Sequence, residues 1–155
     1  MISADIEFVD KPLPQDCYET DFNSALPFAD ASFDGIVSIE TIEHLENPWS
    51  FVRELARLLR PGGFLVLSTP NVSSIFSRAL NLATGRLLWF QERDLSPLGH
   101  ITPIHWHLLL EMTSRANLQL EKRKFSWGRL PLLNITIRND HPLVGECVVA
   151  RFRKL

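Results

Sequence analysis

Three side chains that can bind a metal ion or move a proton lie close together near residue 40. Glu40, Glu43 and His44 occur in the stretch ETIEHLENP (40–48), at the i, i+3 and i+4 spacing that puts side chains on one face of a helix. Two carboxylates and an imidazole could hold a divalent cation or exchange a proton with a substrate. The spacing therefore predicts either an active-site cluster or an acidic, solvated first turn of a helix.

A strand, a helix and a second strand are predicted around this cluster. GIVSI (35–39) and FLVLSTP (64–70) are dense apolar runs of the kind that a parallel sheet buries on both faces. Between them, Asn47 is a good N-cap, Pro48 suits the first helical position, and apolar residues then repeat at helical spacing. The stretch RPGG (60–63) should end the helix, with one of its glycines in a left-handed cap.

Further strand and helix patterns flank this unit. Two short strand patterns precede it, and a long loop lies between two later helices. Strands alternating with helices, followed by an antiparallel pair, predict a single α/β domain over 1–155 with an open, mostly parallel sheet. The expected strands are 6–10, 17–21, 118–127 and 145–153, the expected helices are 73–83 and 103–117, with Thr102 capping the second, and the expected loop is 84–100.

Composition limits the classes of function. The chain has 155 residues, of which 45% are apolar and 22% charged, and its net charge of -2 gives no reason to expect nucleic acid binding. Cys17 and Cys147 are too few for a disulfide framework, so a reducing compartment is expected. No apolar run approaches the length of a membrane span, and MISADIEF lacks the regions of a signal peptide. We therefore expect a cytoplasmic protein without a membrane span.

Polar residues lie where the predicted strands end. In open α/β sheets, ligands bind beyond the carboxyl ends of the strands. Asp10, Asp21, residues 38–40 and residues 69–71 occupy such positions. An aspartate there can accept hydrogen bonds from a ribose diol or an adenine amino group, or it can cap the next turn. Position alone leaves both interpretations open.

Residues 26–71 resemble the middle of a class I S-adenosylmethionine-dependent methyltransferase of the broad type 11 group. LPF-x-D-x-SFD leads into one strand, E-x-x-EH-x-x-x-P opens the next helix, and RPGG-x-x-x-x-STPN carries the next strand. GHITPIHWHLLLEM (99–112) resembles a later substrate-side loop and helix of the family. The resemblance implies a Rossmann-like sheet of the methyltransferase type, with S-adenosylmethionine across the strand ends and residues 72–103 as a substrate-side insertion or lid.

The resemblance also implies which residues contact the cofactor. Asp21 and Phe22 would lie beside the adenine, Asp10 would hold the ribose, and Ser38 and Ile39 would line the methionine end. The family's glycine-rich loop, which follows its first strand, has no counterpart, because no two glycines of this chain have G-x-G spacing. We therefore expect the first, central strand of the sheet to be missing, as in a truncated or degenerate member.

The E-x-x-EH cluster resembles the metal site of some magnesium-dependent O-methyltransferases, in which a downstream histidine completes the site. The resemblance implies Glu40, Glu43, His44 and His100 as ligands of a magnesium ion, with His44 and His100 as the catalytic residues. The ion would orient paired oxygens of the substrate and lower the pKa of the one that attacks. The alternative is a structural or cofactor-lining role, since acidic side chains near a helix N-terminus stabilise the helix.

Two functions follow as hypotheses. The first is methyl transfer from S-adenosylmethionine to an oxygen or nitrogen of a small-molecule acceptor, which requires an upstream segment to supply the glycine-rich loop. The second is a non-catalytic methyltransferase-like remnant that acts as a partner or scaffold domain. Its incomplete sheet would then be covered by another copy of the chain or by a partner chain. An NAD-dependent oxidoreductase is disfavoured because the G-x-G-x-x-G pattern is absent.

Overall fold

The computed structural model describes residues 3–5, 17–92, 99–130, 135–137 and 140–155. The described residues form a four-stranded mixed sheet, two separate two-stranded sheets and three α-helices. The strands are β1 (Ser3–Asp5), β2 (Cys17–Glu19), β3 (Phe33–Ser38), β4 (Leu59–Pro70), β5 (Leu118–Phe125), β6 (Gly128–Leu130), β7 (Ile135–Ile137) and β8 (Cys147–Lys154), and the helices are α1 (Pro48–Leu58), α2 (Ile75–Thr84) and α3 (Trp106–Arg115).

The strand, helix and strand around the cluster follow the predicted order. The Asn47 side chain caps α1 by accepting a hydrogen bond at 3.0 Å from a backbone amide three residues later, and Pro48 is the first helical residue, as predicted. The helix ends at Leu58 because the fully buried Leu59 is already extended and begins β4. The predicted glycine cap is therefore wrong, since Gly62, with a φ of +77°, lies within β4.

The main sheet has the order β3, β4, β8, β5. β3 and β4 are parallel, whereas β8 runs antiparallel to both β4 and β5. This arrangement confirms an open sheet that combines parallel strands with an antiparallel pair at its C-terminal end. Because β8 lies between β4 and β5, its backbone hydrogen bonds join the parallel part of the sheet to its last strand.

The second edge of β3 has no strand neighbour among the described residues. Val37 and Ile39, at the end of this strand, are 60% and 69% exposed. β1 and β2 form a parallel pair of their own. The first predicted strand, 6–10, lies outside the described residues, and β1 comes just before it in the sequence. The free edge of β3 is where the missing strand of the methyltransferase-type sheet was expected.

The two later helices are shorter than predicted. α2 begins after Ser74, whose hydroxyl accepts a hydrogen bond from the backbone amide of Ser77 at 3.2 Å. α3 begins at Trp106, with His105 as its N-cap residue. The predicted Thr102 cap is wrong, because the Thr102 hydroxyl donates instead to the Leu45 carbonyl at 2.7 Å. This contact ties the segment before α3 to the turn that carries the acidic cluster.

A single apolar core supports these elements. It consists of buried side chains from α1, α3 and the inner face of the sheet. None of the described helices is long and apolar enough to cross a membrane. The fully buried core side chains include Ile42, Val52, Leu58, Leu59, Leu65, Leu67, Leu109 and Phe152.

Candidate active site

The chain turns sharply between the end of β3 and α1. Glu40 has a φ of +47°, a left-handed conformation that is uncommon outside glycine, and residues 42–44 form one turn of 3-10 helix. Glu40, Glu43 and His44 therefore do not share one helical face, and that expectation is wrong. Strained residues of this kind persist only where surrounding contacts hold them in place, and they are common at functional sites.

The Glu40 carboxylate is held by β4 and β8. Its Oε1 accepts a hydrogen bond from the Ser68 hydroxyl at 2.7 Å, and its Oε2 accepts one from the Cys147 thiol at 3.4 Å. The Glu40 amide also donates to the Ser68 oxygen at 3.1 Å. Burial, with the Glu40 charge as a second cause, raises the pKa of Cys147 to about 12. The structure thus places Glu40 against the sheet and apart from the other predicted metal ligands.

Glu43 is fully buried beneath the turn. Its Oε2 accepts a hydrogen bond from the Thr69 hydroxyl at 3.0 Å, whereas its Oε1 has no hydrogen-bond partner among the described residues. Burial, the largest cause, and the charge of Glu40 together raise the pKa of this carboxyl to about 7. A buried carboxylate oxygen without a partner is costly, so this atom is suited to a cation or a proton.

The turn also fixes the segment that carries His100. The Glu43 carbonyl accepts hydrogen bonds from the amides of Ile101 and Thr102 at 3.0 and 2.9 Å. His44 Nδ1 lies 3.2 Å from the Gly99 carbonyl oxygen. These contacts connect two parts of the chain more than fifty residues apart. The predicted pairing of His44 with His100 therefore has a structural basis in backbone hydrogen bonds.

Glu43, His44 and His100 lie together in one cluster. One potential ligand atom from each lies within 4.8 Å of the others, and the two imidazole rings are 4.7 Å apart at their centroids. His100 Nδ1 lies 2.8 Å from the Trp89 carbonyl oxygen. Each of these Nδ1 atoms faces a carbonyl oxygen, which only accepts hydrogen bonds, so a protonated Nδ1 would donate to it. Histidine ligands of metals are commonly oriented in this way.

Comparison with known proteins finds methyltransferases in both sequence and fold. Residues 2–67 match a family model described as a methyltransferase domain. A probable S-adenosylmethionine-dependent methyltransferase of Mycobacterium tuberculosis is 54% identical over 46 residues, which are 30% of this chain and 17% of that protein. The 27-O-demethylrifamycin SV methyltransferase of Amycolatopsis mediterranei is 48% identical over 42 residues, 27% of this chain and 15% of that protein.

The fold comparison extends over nearly the whole chain. The crystal structure of a SAM-dependent methyltransferase from Archaeoglobus fulgidus shares the fold with a TM-score of 0.66 at 16% identity, covering 99% of this chain and 75% of that one. The chain is thus similar to S-adenosylmethionine-dependent methyltransferases in part of its sequence and shares their fold. The stretch matched to the two curated methyltransferases spans less than a fifth of the length of each.

Two of the residues expected to contact the cofactor, Asp21 and Phe22, lie in the turn after β2. Asp21 is exposed, and its carboxylate accepts hydrogen bonds from the amide and side chain of Asn23 and from the Ser24 hydroxyl. The Asn23 backbone hydrogen bond is the largest cause that lowers the pKa of Asp21. Phe22 lines a small cavity of about 100 Å³ next to this turn and packs edge-on against Phe51 at 5.8 Å.

Two further residues expected to contact the cofactor, Ser38 and Ile39, lie at the end of β3. Ser38 is buried, and its hydroxyl has no hydrogen-bond partner in the part of the chain that the structure describes. Ile39 is exposed beside it. Asp10, expected at the ribose, lies outside the described residues. An unpartnered buried hydroxyl at a strand end fits a position that faces a bound ligand.

Sequence reasoning missed two residues of the site, Ser68 and Cys147, both of which bind the Glu40 carboxylate. Cys147 was considered only in the count of cysteines, yet it contacts Glu40 because the antiparallel register places it opposite Pro70 at the end of β4. No local pattern in the sequence indicates that register. Thr69, which binds Glu43, could be identified only as a polar residue at a strand end.

Proposed function

We propose that this domain takes part in methyl transfer from S-adenosylmethionine to an oxygen or nitrogen atom of a small-molecule acceptor. The observation that carries the proposal is the cluster of Glu43, His44 and His100 at the strand ends of a class I methyltransferase sheet. Ligands of such sheets bind beyond the carboxyl ends of the strands. Buried polar groups at that place support a reaction there.

The methyl donor would lie across the ends of β2 and β3. Asp21 and Phe22 would contact the adenine, Asp10 the ribose, and Ser38 and Ile39 the methionine portion. The unpartnered Ser38 hydroxyl and the exposed Ile39 fit such contacts. The bound cofactor supplies a methyl group on a sulfonium, while these side chains hold and orient it, which is a large part of catalysis in a direct displacement.

His44 and His100 are proposed to act on the acceptor. An imidazole is the side chain best suited to take a proton from a hydroxyl or an amine near neutral pH, and these two rings lie together at the cluster. The deprotonated atom is the better nucleophile toward the sulfonium methyl group. Residues 72–103, which include His100, would cover the acceptor as a substrate-side insertion or lid.

In an alternative use of the cluster, the two imidazoles and the Glu43 carboxylate would hold a divalent ion, and the imidazoles would then not take a proton from the acceptor. Glu43 Oε1 is buried without a partner among the described residues, and two imidazoles lie beside it. Two imidazoles with one carboxylate suit a first-row transition metal better than Mg²⁺, which favours oxygen ligands, and Mn²⁺ is a practical probe because it accepts both carboxylate and imidazole. Because Glu40 is bound by Ser68 and Cys147, this set has one carboxylate fewer than the expected magnesium site. A bound ion would act as a Lewis acid that lowers the pKa of the acceptor oxygen.

Metal binding can be tested without measuring activity. Titration calorimetry with MnCl₂ should show one site per chain in the parent protein. Glu43→Gln should weaken binding by about tenfold or more, the scale at which even indirect ligand contacts act. Glu46→Gln, an exposed neighbour, is the matched control. Equal Mn²⁺ affinity in the parent and Glu43→Gln would remove the metal from the proposal.

A second function is favoured by the free edge of β3. An exposed strand edge with apolar Val37 and Ile39 can pair with another strand, and residues 1–155 contain no glycine-rich loop. In this alternative the domain is a non-catalytic partner or scaffold, and a second copy or a partner chain covers the edge. The methyltransferase proposal needs the same edge covered by a strand that brings the loop.

Cofactor binding separates the two functions. Calorimetry with S-adenosylmethionine should give heat for the chain when a strand carrying the glycine-rich loop covers β3. Asp21→Ala and Ser38→Ala should then each weaken binding, whereas Asp34→Ala, on the exposed start of β3, should not. Absence of binding at millimolar cofactor in the covered form would refute the methyltransferase proposal and favour the scaffold.

A further inference from the structure

A second cavity, of about 210 Å³, opens beyond the carboxyl end of β4. The end of β4, the start of β8 and the end of β5 contribute Pro70, Val148 and Phe125 to its wall. The remaining wall combines apolar side chains with two arginines, and no acidic side chain lines the cavity among the described residues. The side chains used below are Ile104, Trp106, Phe125, Arg78 and Arg123.

Arg123 is held in place by aromatic rings. Its guanidinium carbon lies 4.7 Å from the centre of the Trp106 ring and 5.1 Å from that of the Phe125 ring. The Asp140 carboxylate interacts electrostatically with Arg123. The same carboxylate accepts hydrogen bonds from the Lys124 ammonium and the Phe125 amide. Stacking restricts the guanidinium, so less side-chain entropy is lost when it binds an anion.

Arg78 reaches the same cavity from α2. Its Nε donates to the Ser73 carbonyl at 2.9 Å, a neutral acceptor that orients the guanidinium and leaves its charge uncompensated. Neither Arg78 nor Arg123 forms an ion pair within the described residues, whereas Arg57, Arg60, Arg86, Arg115, Arg151 and Arg153 all do. Two guanidinium groups without an ion-pair partner among the described residues therefore line one partly apolar cavity.

Residues of the cavity wall lie close in sequence to residues at the cluster of Glu43, His44 and His100. The segment 99–106 supplies His100 to the cluster and then Ile104 and Trp106 to the cavity wall. On β4, Thr69 binds Glu43, and Asn71, two residues later, lines the cavity. A ligand held in the cavity would thus be anchored on the acceptor side of the proposed reaction.

From this we infer that the cavity binds the anionic group of the methyl acceptor, a carboxylate or a phosphate attached to a flat apolar body. This inference rests on the proposed function and names its substrate class. Arginine guanidinium groups form paired hydrogen bonds with either anion, and Trp106 and Phe125 present apolar surface beside them. A cavity of this volume accommodates the anionic end and one ring of such an acceptor.

The test is calorimetry of the chain with three probes, namely phenylacetate, phenyl phosphate and the neutral phenylacetamide. At least one anion should bind about tenfold or more tightly than the amide, the scale of a charge-assisted contact. Whichever of the two anions binds more tightly identifies the anion class. Arg78→Gln and Arg123→Gln should each lose about tenfold of the preference, and Arg123→Lys should retain part of it. Arg53→Gln, an exposed arginine of α1, is the matched control.

Thermal unfolding of each variant shows whether a loss of binding reflects a loss of folding, and Arg123→Lys preserves the charge if the glutamine variant does not fold. Equal binding of anion and amide, no binding of either anion, or an equal loss in Arg53→Gln would overturn the inference. Neither S-adenosylmethionine nor metal is present in this experiment. A chain that keeps the anion preference but fails to bind S-adenosylmethionine when a strand with the glycine-rich loop covers β3 would refute the proposed function alone.

Discussion

Replacing Glu43 with glutamine should change how the stability of the metal-free protein depends on pH. Glu43 is fully buried, and burial raises its pKa from 4.5 to about 7. The folded chain therefore holds this proton more tightly than the unfolded chain between those values. The contribution of Glu43 to the free energy of unfolding is therefore greatest below about pH 4.5, and it is lost as the pH rises through about 7.

The size of the effect follows from the same pKa change. At about 1.4 kcal/mol per pH unit, the rise of the Glu43 pKa from 4.5 to about 7 corresponds to about 3 kcal/mol. Glutamine carries no charge to bury, but its amide would place a donor where Oε1 has no partner, at a cost of about 1–2 kcal/mol. This cost does not depend on pH. The difference in unfolding free energy between variant and parent should thus change by about 3 kcal/mol between pH 4.5 and pH 8, in favour of the variant at pH 8.

Urea unfolding of both proteins in EDTA at several pH values measures this difference, because titration of groups that do not interact with Glu43 affects both proteins alike. Glu46→Gln, on the exposed surface, should track the parent at every pH. Parallel stability curves for Glu43→Gln and the parent would show that the Glu43 carboxylate does not carry a burial cost. Saturating Mn²⁺ should restore the advantage of the parent at pH 8, since a ligand bound only by the folded state stabilises it.

Three further changes test other parts of the structure. Asn47→Ala should lower the unfolding free energy by about 1 kcal/mol by removing the α1 cap, and an unchanged urea midpoint would contradict that role. Gly63→Ala should cost about 1–3 kcal/mol in the same assay, because its Cβ would lie 2.9 and 3.0 Å from two backbone oxygens, and a neutral result would show that β4 can shift there. Folding raises the pKa of Cys147 from 9.0 to about 12. In a Cys17→Ser background, the folded chain should therefore exchange with a chromogenic disulfide reagent at pH 8 about 30-fold more slowly than the urea-unfolded chain. Equal rates would refute the burial of this thiol.

Local signals predicted the unit around α1 well. Asn47 and Pro48 set the start of the helix through contacts within one turn, so the sequence contains all the information that is needed. The end of that helix was misplaced because Leu59 is drawn into the sheet by burial, a tertiary effect that overrides the glycines after it. The start of α3 was misplaced for a similar reason, since Thr102 binds a distant carbonyl instead of capping a helix.

The site was predicted in part for the same physical reason. Glu43, His44 and His100 could be brought together from their resemblance to a known pattern, and the structure places them within 4.8 Å. Both helical spacing and the resemblance put Glu40 in that group, but a left-handed turn sends its carboxylate to β4 and β8. The Cys147 contact depends on the register of an antiparallel strand more than a hundred residues away, which no local pattern encodes.

The interior position of β8 has a consequence for the order of events on the ribosome. β8 is the last of the described strands to be synthesised, yet its neighbours on both sides, β4 and β5, come earlier in the chain. Until residues 147–154 emerge, each of those two strands presents an open edge toward the place that β8 will take. The nascent domain therefore passes through a stage with two unpaired edges, when it depends most on chaperones and is most exposed to aggregation.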